Sequence, residues 1–359
     1  MASSSRITAV ACDVMMNTWA MRPLSYVVAP SAAAVLLLLA SGGTAVADDG
    51  FTIKDPRITE SSGLAASRLH PGIYWTHNDS DDGAFVYAVD SRSGETVATL
   101  TLRGIGSPRD VEGISVGPDG NVYVGDIGDN LDGSWSHVWI YRFPEPKQLG
   151  NTTVDAAQFT VKYADGPRNA EALMVHPKTG RVYIASKNED GGGLYEGPAR
   201  LSAGGTNVFR RVGEVPWVTD GAFSPDGKEL VLRSYFSARA YEWKDNGRLG
   251  ADRAVSAPFQ GQAESVTFTA DGTAMLFGSE GVGSDVQRVA VEGRRGDAGG
   301  SGKSPSSGGG SGEGGKGSDG SGGDGDGAGG GDGKVTLGLV VIGGVLAAYL
   351  GLKRLMRRS

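Results

Sequence analysis

The chain has 359 residues, with 34 Lys plus Arg against 41 Asp plus Glu, a formal charge of −7 and a single cysteine. That balance excludes the basic footprint of a nucleic-acid binder. One cysteine, Cys12, excludes a disulfide framework and thiolate metal chemistry.

Residues 1–47 read as an export segment. Arg22 precedes an apolar run centred on Val35 to Ala40, and Ala45-Val46-Ala47 offers small residues at a cleavage position. The stretch before the apolar run is long for such a segment, which leaves Met15, Met16 or Met21 as alternative starts. Cys12 falls in this leader, so the exported chain is expected to carry no cysteine.

Residues 48–294 are expected to form one exported domain. It holds 24 Lys plus Arg against 34 Asp plus Glu, a net of −10, which favours cations or basic partners. Residues 295–333 form a linker, with 20 Gly among the 38 residues from 296 to 333. Such a composition buries no core and acts as a flexible tether. Arg295-Gly296-Asp297 matches an adhesion tripeptide by letter only. Residues 334–359 read as a membrane anchor. The apolar run Val335 to Leu352 spans roughly 27 Å as a helix, enough for a bilayer core. Lys353, Arg354, Arg357 and Arg358 follow, which places that tail in the cytoplasm and the domain outside the plasma membrane.

Within the domain one unit recurs. The charged entry Arg109-Asp110-Val111-Glu112 leads into the apolar run Gly113 to Val116, and with a turn at Pro118-Asp119-Gly120 and the run Val122 to Val124 this forms a hairpin, because Asp-Gly between β-rich runs supplies the positive φ of a tight turn. Copies start near residues 63, 113, 172, 220 and 265, a spacing of 45 to 59. Further strand-like runs follow each hairpin, and helical periodicity is missing. Four short strands per repeat of about 40–50 residues describe a propeller blade. The expected fold is therefore an all-β propeller of five blades, or six if one has lost its hairpin. Phe51-Thr52-Ile53 is placed to add an outer strand to the last blade and close the ring.

The repeat sets an acidic residue at or beside the start of the inner strand in four copies: Glu112, Glu171, Asp220 and Glu264. The ends of the second strands reach the same channel mouth and add His77, Asn78, Asp79, Asp126, Asp129, Asn130, Lys187, Arg233 and Glu280. Two readings of this ring stand. Arg109 and Arg168, each three residues before a glutamate, pair with the ring and stabilise blade edges. Alternatively, Glu112, Glu171, Asp220, Glu264, Asp126 and Asp129 hold a divalent cation, for which hard oxygen ligands suit Ca²⁺ or Mg²⁺. Like charges this close repel unless something compensates.

Asn78 to Gly83 alternates oxygen side chains before a glycine, as Ca²⁺ loops do, but lacks the EF-hand glutamate; turn chemistry accounts for it equally. Gly113-Ile114-Ser115-Val116-Gly117 has the letters of a nucleophile elbow but sits inside a hairpin strand, not before a helix. His70, His77, His137 and His176 form no pair at zinc-ligand spacing. Of these only His77 falls on the mouth face, as a candidate base or a loop-bonding group.

Glu60-Ser61-Ser62-Gly63-Leu64-Ala65, His77-Asn78-Asp79-Ser80, Gly125 to Asn130, Ile140 to Pro146 and Asn169-Ala170-Glu171-Ala172-Leu173 resemble exported bacterial WD40-like propellers placed near phytase-like propellers. The resemblance covers roughly residues 56–290. It implies calcium in the channel mouth, carried by Glu112, Glu171 and Glu264. A phytase-type phosphate-binding set of Lys and Arg does not map residue by residue; Arg109, Arg168, Lys187 and Arg233 are its candidates, and His77 is a further ligand-binding candidate. Two functions are consistent with this reading. One is a membrane-tethered, Ca²⁺-stabilised module that binds an extracellular ligand or protein. The other is a calcium-dependent phosphoesterase.

Overall fold

The computed structural model describes residues 50–80, 82–131 and 133–293. The expected export segment, Gly-rich linker, apolar span and basic tail lie outside the described residues.

The described chain is built of strands. It opens on β1 (Phe51–Thr52). Blade 1 is β2 (Ser61–Ala66), β3 (Ile73–Asn78), β4 (Phe85–Asp90) and β5 (Thr96–Arg103). Blade 2 runs β6 (Val111–Val116), β7 (Asn121–Asp126) and β8 (Val138–Pro144). A short β9 (Thr152–Asp155) comes before its outer strand, β10 (Ala157–Tyr163). Blade 3 is β11 (Ala170–Val175), β12 (Val182–Ser186), β13 (Gly192–Glu196) and β14 (Thr206–Val215). Blade 4 is β15 (Asp220–Phe223), β16 (Glu229–Arg233), β17 (Ala238–Trp243) and β18 (Leu249–Val255). Blade 5 holds β19 (Ala263–Phe268), β20 (Ala274–Ser279) and β21 (Asp285–Ala290).

The inner strands β2, β6, β11, β15 and β19 each pack against the next, and β19 packs against β2, so the ring closes at five blades. The closure uses the strand expected for it. Phe51 pairs with Val286 and Thr52 with Asp285, which makes β1 the outer strand of blade 5. Each inner hairpin turns on a glycine with φ between 68° and 81°: Gly72, Gly120, Gly180, Gly227 and Gly272. Side chains with a Cβ rarely adopt that conformation.

Five apolar clusters fill the five spaces between neighbouring blades. A strand therefore feeds two interfaces, one from each face. In β3, Ile73 and Trp75 pack toward blade 2 while Tyr74 packs toward blade 5. In β7, Val122 and Val124 face blade 1 while Tyr123 faces blade 3. Burial on both faces is why these strands read as continuous apolar runs. Two outer-edge pairings were not expected from sequence. β10 runs parallel to β14 and joins blades 2 and 3 into one eight-stranded sheet. β9 runs parallel to β5 and ties blade 2 to blade 1. Both cover edges that would otherwise be open to pairing.

Candidate metal centre at the channel mouth

The glutamates reach the mouth through a local device in the ladder. In β6 and β7, Val111 pairs with Asp126 and Gly113 with Gly125, so Glu112 is the extra residue of a bulge. Glu171 is skipped in the same way between Ala170 and Ala172, and Glu264 between Ala263 and Ser265. A bulge removes its residue from regular pairing and re-aims the side chain. In blade 1 the register slips across Ser62 and Gly63. The inner hairpin of blade 4 has no such irregularity: Asp220 stands directly across the ladder from Arg233.

The bulged carboxylates are buried and act on one another. Burial pushes Glu112 well above its ordinary value; Asp79, Glu171 and Asp110 add to the shift, and Lys187 opposes it. Burial likewise raises Glu171, against Lys187. Glu264 is pushed up to about 8 by burial, with Glu280, Glu171 and Asp79 contributing. Lys187 is the cation among them. Its ammonium lies 3.1 Å from Glu171 Oε2 and donates to the Tyr235 hydroxyl at 2.9 Å. Burial works against its charge, but Glu171, Tyr235, Glu264 and Glu112 hold it well above the usual lysine value. One ammonium stands among several carboxylates, and Arg233 acts on Glu264 from blade 4. Glu171 Oε1, fully buried, has no hydrogen-bond partner among the described residues.

Two carboxylate triads meet at Asp79. Oxygens of Asp79, Asp110 and Glu112 lie within 4.8 Å of one another, as do those of Glu60, Asp79 and Glu280. Neighbours fix these side chains. Asn130 Nδ2 donates to Asp110 Oδ2 at 2.9 Å, and Asn169 Nδ2 donates to Asn130 Oδ1 at 3.2 Å. Ser80 Oγ donates to Glu60 Oε2 at 2.8 Å. Such outer partners orient ligands in metal sites. Glu60, Asp79, Asp110 and Glu280 were missing from the expected ligand set. Asp110 sits two residues before Glu112 and Asp79 directly follows β3, so both positions were visible as neighbours of the ring.

The other expected ligands stand apart. Asp126, fully buried, accepts from the backbone amides of Arg109 and Asp110 at 3.1 Å each and from the Tyr141 hydroxyl at 2.5 Å. Asp129 accepts from Ser134 Oγ at 3.0 Å and from the Trp135 amide at 2.5 Å. Both shape the loop that carries the mouth residues. Asp220 Oδ2 accepts from the Val266 amide at 2.8 Å, inside blade 5.

The expected anion-binding groups scatter too. Arg109 is held between the rings of Trp135 and Trp139, 3.9 and 3.8 Å from their centroids, with Asp126 at 4.0 Å. Arg168 pairs with Asp165 at 2.8 Å. Neither arginine pairs with the glutamate three residues after it. Arg233 donates to Ser265 O, Gly278 O and Gln260 Oε1 at 2.6–2.7 Å and straps blade 4 to blade 5. His77 is 1 % exposed, and burial lowers its pKa to about 4, so it is neutral at pH 7. Its Nε2 lies 2.7 Å from where a Cβ on Gly63 would stand, packed into the channel wall. Asn78 is used up in turn chemistry: its Oδ1 accepts from the amides of Thr59 and Glu60, and its Nδ2 donates to Arg57 O and Asp82 Oδ2.

No family model matches the chain, and no curated protein matches it. Among solved structures it is similar to a gluconolactonase of Xanthomonas campestris, at 16 % identity and a TM-score of 0.42 over 67 % of this chain and 78 % of that one. It is also similar to a putative 6-phosphogluconolactonase of Bacteroides uniformis, at 13 % identity and a TM-score of 0.36 over 66 % and 69 % of the two chains. A third likeness, at 13 % identity and a TM-score of 0.36, is to hydrazine synthase of Kuenenia stuttgartiensis over 61 % of each chain. The chain thus spans less than two thirds of that hydrazine synthase chain. The blade count and ring closure rest on the strand pairing, not on these likenesses.

Proposed function

We propose that the channel mouth holds a divalent cation, Ca²⁺ by its oxygen-only donor set, and that the propeller is a cation-dependent binding module displayed outside the cell. The observation that carries this is the Asp79–Asp110–Glu112 triad, whose oxygens lie within 4.8 Å of one another. The buried, unpartnered Glu171 Oε1 supports it. Asp79, Asp110 and Glu112 would hold the ion, with Glu171 at its border. Bound there, the ion would supply positive charge beside the carboxylates and a Lewis-acidic centre for an oxygen-bearing ligand. The export segment and C-terminal apolar run support display at the cell surface, and the partner is then an extracellular ligand or protein.

The test is calorimetric titration of the chelator-treated full chain with CaCl₂, paired with melting curves. A saturable heat and a rise of at least a few degrees are expected, since 100 times Kd stabilises by about 2.7 kcal/mol. No heat and an unchanged melting temperature would retire the proposal. The phosphoesterase alternative needs a base facing the mouth, and His77 faces the wall. Turnover of phosphomonoesters that depends on Ca²⁺ would nevertheless favour it over a pure binding role.

A further inference from the structure

A cavity of about 130 Å³ opens on the same face as the mouth, at the periphery where blades 2 and 3 meet. Trp135, His137, Lys162, Tyr163, Pro167 and Arg168 line it. A single water needs about 10–15 Å³ of such space, so the cavity has room for a small polyatomic ion.

Its chemistry is cationic and donor-rich. Arg168 uses Nε and Nη2 to anchor itself: Nε donates to Gly166 O at 3.2 Å, and Nη2 to Gly166 O and Asp165 O at 3.0 and 3.1 Å. The ion pair with Asp165 also goes through Nη2. Nη1 takes part in none of these contacts. The guanidinium rests on the Tyr195 ring, 4.7 Å from its centroid. Two acids lie nearby: Asp165 is bound on both sides, since Tyr195 donates to its Oδ2 at 3.0 Å, and Asp129, which acts on Tyr163, accepts from Ser134 Oγ and the Trp135 amide. Lys162 adds a second, exposed cation. Tyr163 is 8 % exposed, yet its hydroxyl has no hydrogen-bond partner among the described residues. An unpaired buried hydroxyl costs free energy, so a lining group of this kind points to something that completes it. Burial raises its pKa, so the phenol stays protonated and can donate.

We propose that this cavity is a small-oxyanion site, in which the Tyr163 hydroxyl and Arg168 Nη1 donate to the bound ion and Lys162 supplies further charge. The shared ligand chemistry is a compact anion with two or more oxygens on one centre, whether free phosphate or the end of a phosphomonoester. The site is separate from the carboxylate ring and works without the cation.

The experiment titrates the full chain, with chelator present and ionic strength held by chloride, against sodium phosphate, methyl phosphate and sodium acetate. Saturable heat with phosphate is expected. Equal affinity for methyl phosphate would mark a monoester end as the ligand, and weaker binding would mark the free ion; binding of acetate alone would make the ligand a carboxylate. Arg168→Met and Tyr163→Phe should each weaken binding about tenfold or more, the worth of a hydrogen bond to a charged group. Tyr163→Phe carries the sharper readout. Without anion it should melt at or above the temperature of the unsubstituted chain, because the hydroxyl it removes has no partner. With phosphate it should lose the anion-dependent rise. Absence of saturable heat with all three anions would overturn the site. So would binding that both variants leave intact, or heat that appears only when CaCl₂ replaces the chelator, which would move the anion to the mouth.

Discussion

Blades 3 and 4 start from the same parts and put them to different uses. Each has an acid at the start of its inner strand, Glu171 or Asp220, and a base at the end of its second, Lys187 or Arg233. In blade 3 a bulge lifts Glu171 out of the ladder, and acid and base meet in the mouth at 3.1 Å. In blade 4 the inner hairpin is regular, Asp220 reaches the Val266 amide, and Arg233 reaches carbonyls of β19 and β20. One extra residue in a strand separates a candidate ligand from a strap between blades. Charge alone does not make a site; the backbone decides where the charge points.

The largest expected effect falls on the strap. Arg233→Met would leave Ser265 O, Gly278 O and Gln260 Oε1 without their donor and Asp220 buried without its cation. Burial lowers the Arg233 pKa to about 10 and raises Asp220 well above the usual carboxylate range, with each group opposing the shift of the other. Buried acceptors left unsatisfied in this way cost about 1–3 kcal/mol each. Urea unfolding should show that loss, and Lys187→Met, which removes one ion pair and one hydrogen bond, should show less. Similar losses in the two variants would erase the distinction between the blades.

Next in size is the pH dependence of the cation-free protein. Glu112, Glu171 and Glu264 all have folded pKa values raised above those of the unfolded chain. Their protonated forms favour folding, so that stability is whole below about pH 4.5 and is lost as pH rises through the folded values, about 8 for Glu264. Asp220 adds in the same direction. Asp55 is held near 2 by its hydrogen bond with Arg57 and titrates below this window. His77, held near 4, works the other way up to about pH 6.5 and not above it, so melting temperature should fall between pH 6.5 and pH 8 in chelator. Added Ca²⁺ should restore it at pH 8 and do little at pH 5, where protons hold the same oxygens. A curve that rises toward pH 8 without the ion would break the account.

The third test turns the comparison into a contrast of variants. Glu112→Gln with Glu171→Gln should remove most of the Ca²⁺-dependent stabilisation, about 2.7 kcal/mol at 100 times Kd. Asp220→Asn should destabilise the fold while leaving that increment intact. Loss of the increment in Asp220→Asn would return the blade 4 acid to the ring.

Much of this was legible in the sequence. Five hairpins announced themselves through Gly-bearing turns, the closing strand through Phe51 and Thr52, and the position of the acids through their place in the repeat. The bulges were not legible, because a skipped glutamate and a paired one look alike when both faces of a strand are buried. The parallel pairings of β10 with β14 and β5 with β9 were hidden as well. Backbone edges make them, and side chains in those strands carry no mark of a partner. Arg109 was expected at the ring because of its spacing to Glu112. Its fate depends on Trp135, which reaches it from a loop that the Asp129 carboxylate holds in shape.

The smallest effect, and the finest test of the comparison, concerns Lys187. Its ammonium is the counter-charge of Glu171 and acts also on Glu264 and Glu112. If the mouth takes a cation, Lys187 competes with it by repulsion and by occupying Glu171 Oε2. Lys187→Met then removes a resident charge and should tighten Ca²⁺ binding several-fold. A change of one decade corresponds to about 1.4 kcal/mol, a modest share of the Coulomb energy of such a pair. Without Ca²⁺ the same variant should melt slightly lower, since Glu171 loses its ion pair. The two shifts have opposite sign, and no purely structural role produces both. If the lysine is a strap like Arg233, the variant loses stability with and without the ion, and Ca²⁺ affinity does not rise. Titration and melting of Lys187→Met beside Arg233→Met would thus show whether two bases at one place in the repeat serve two different ends.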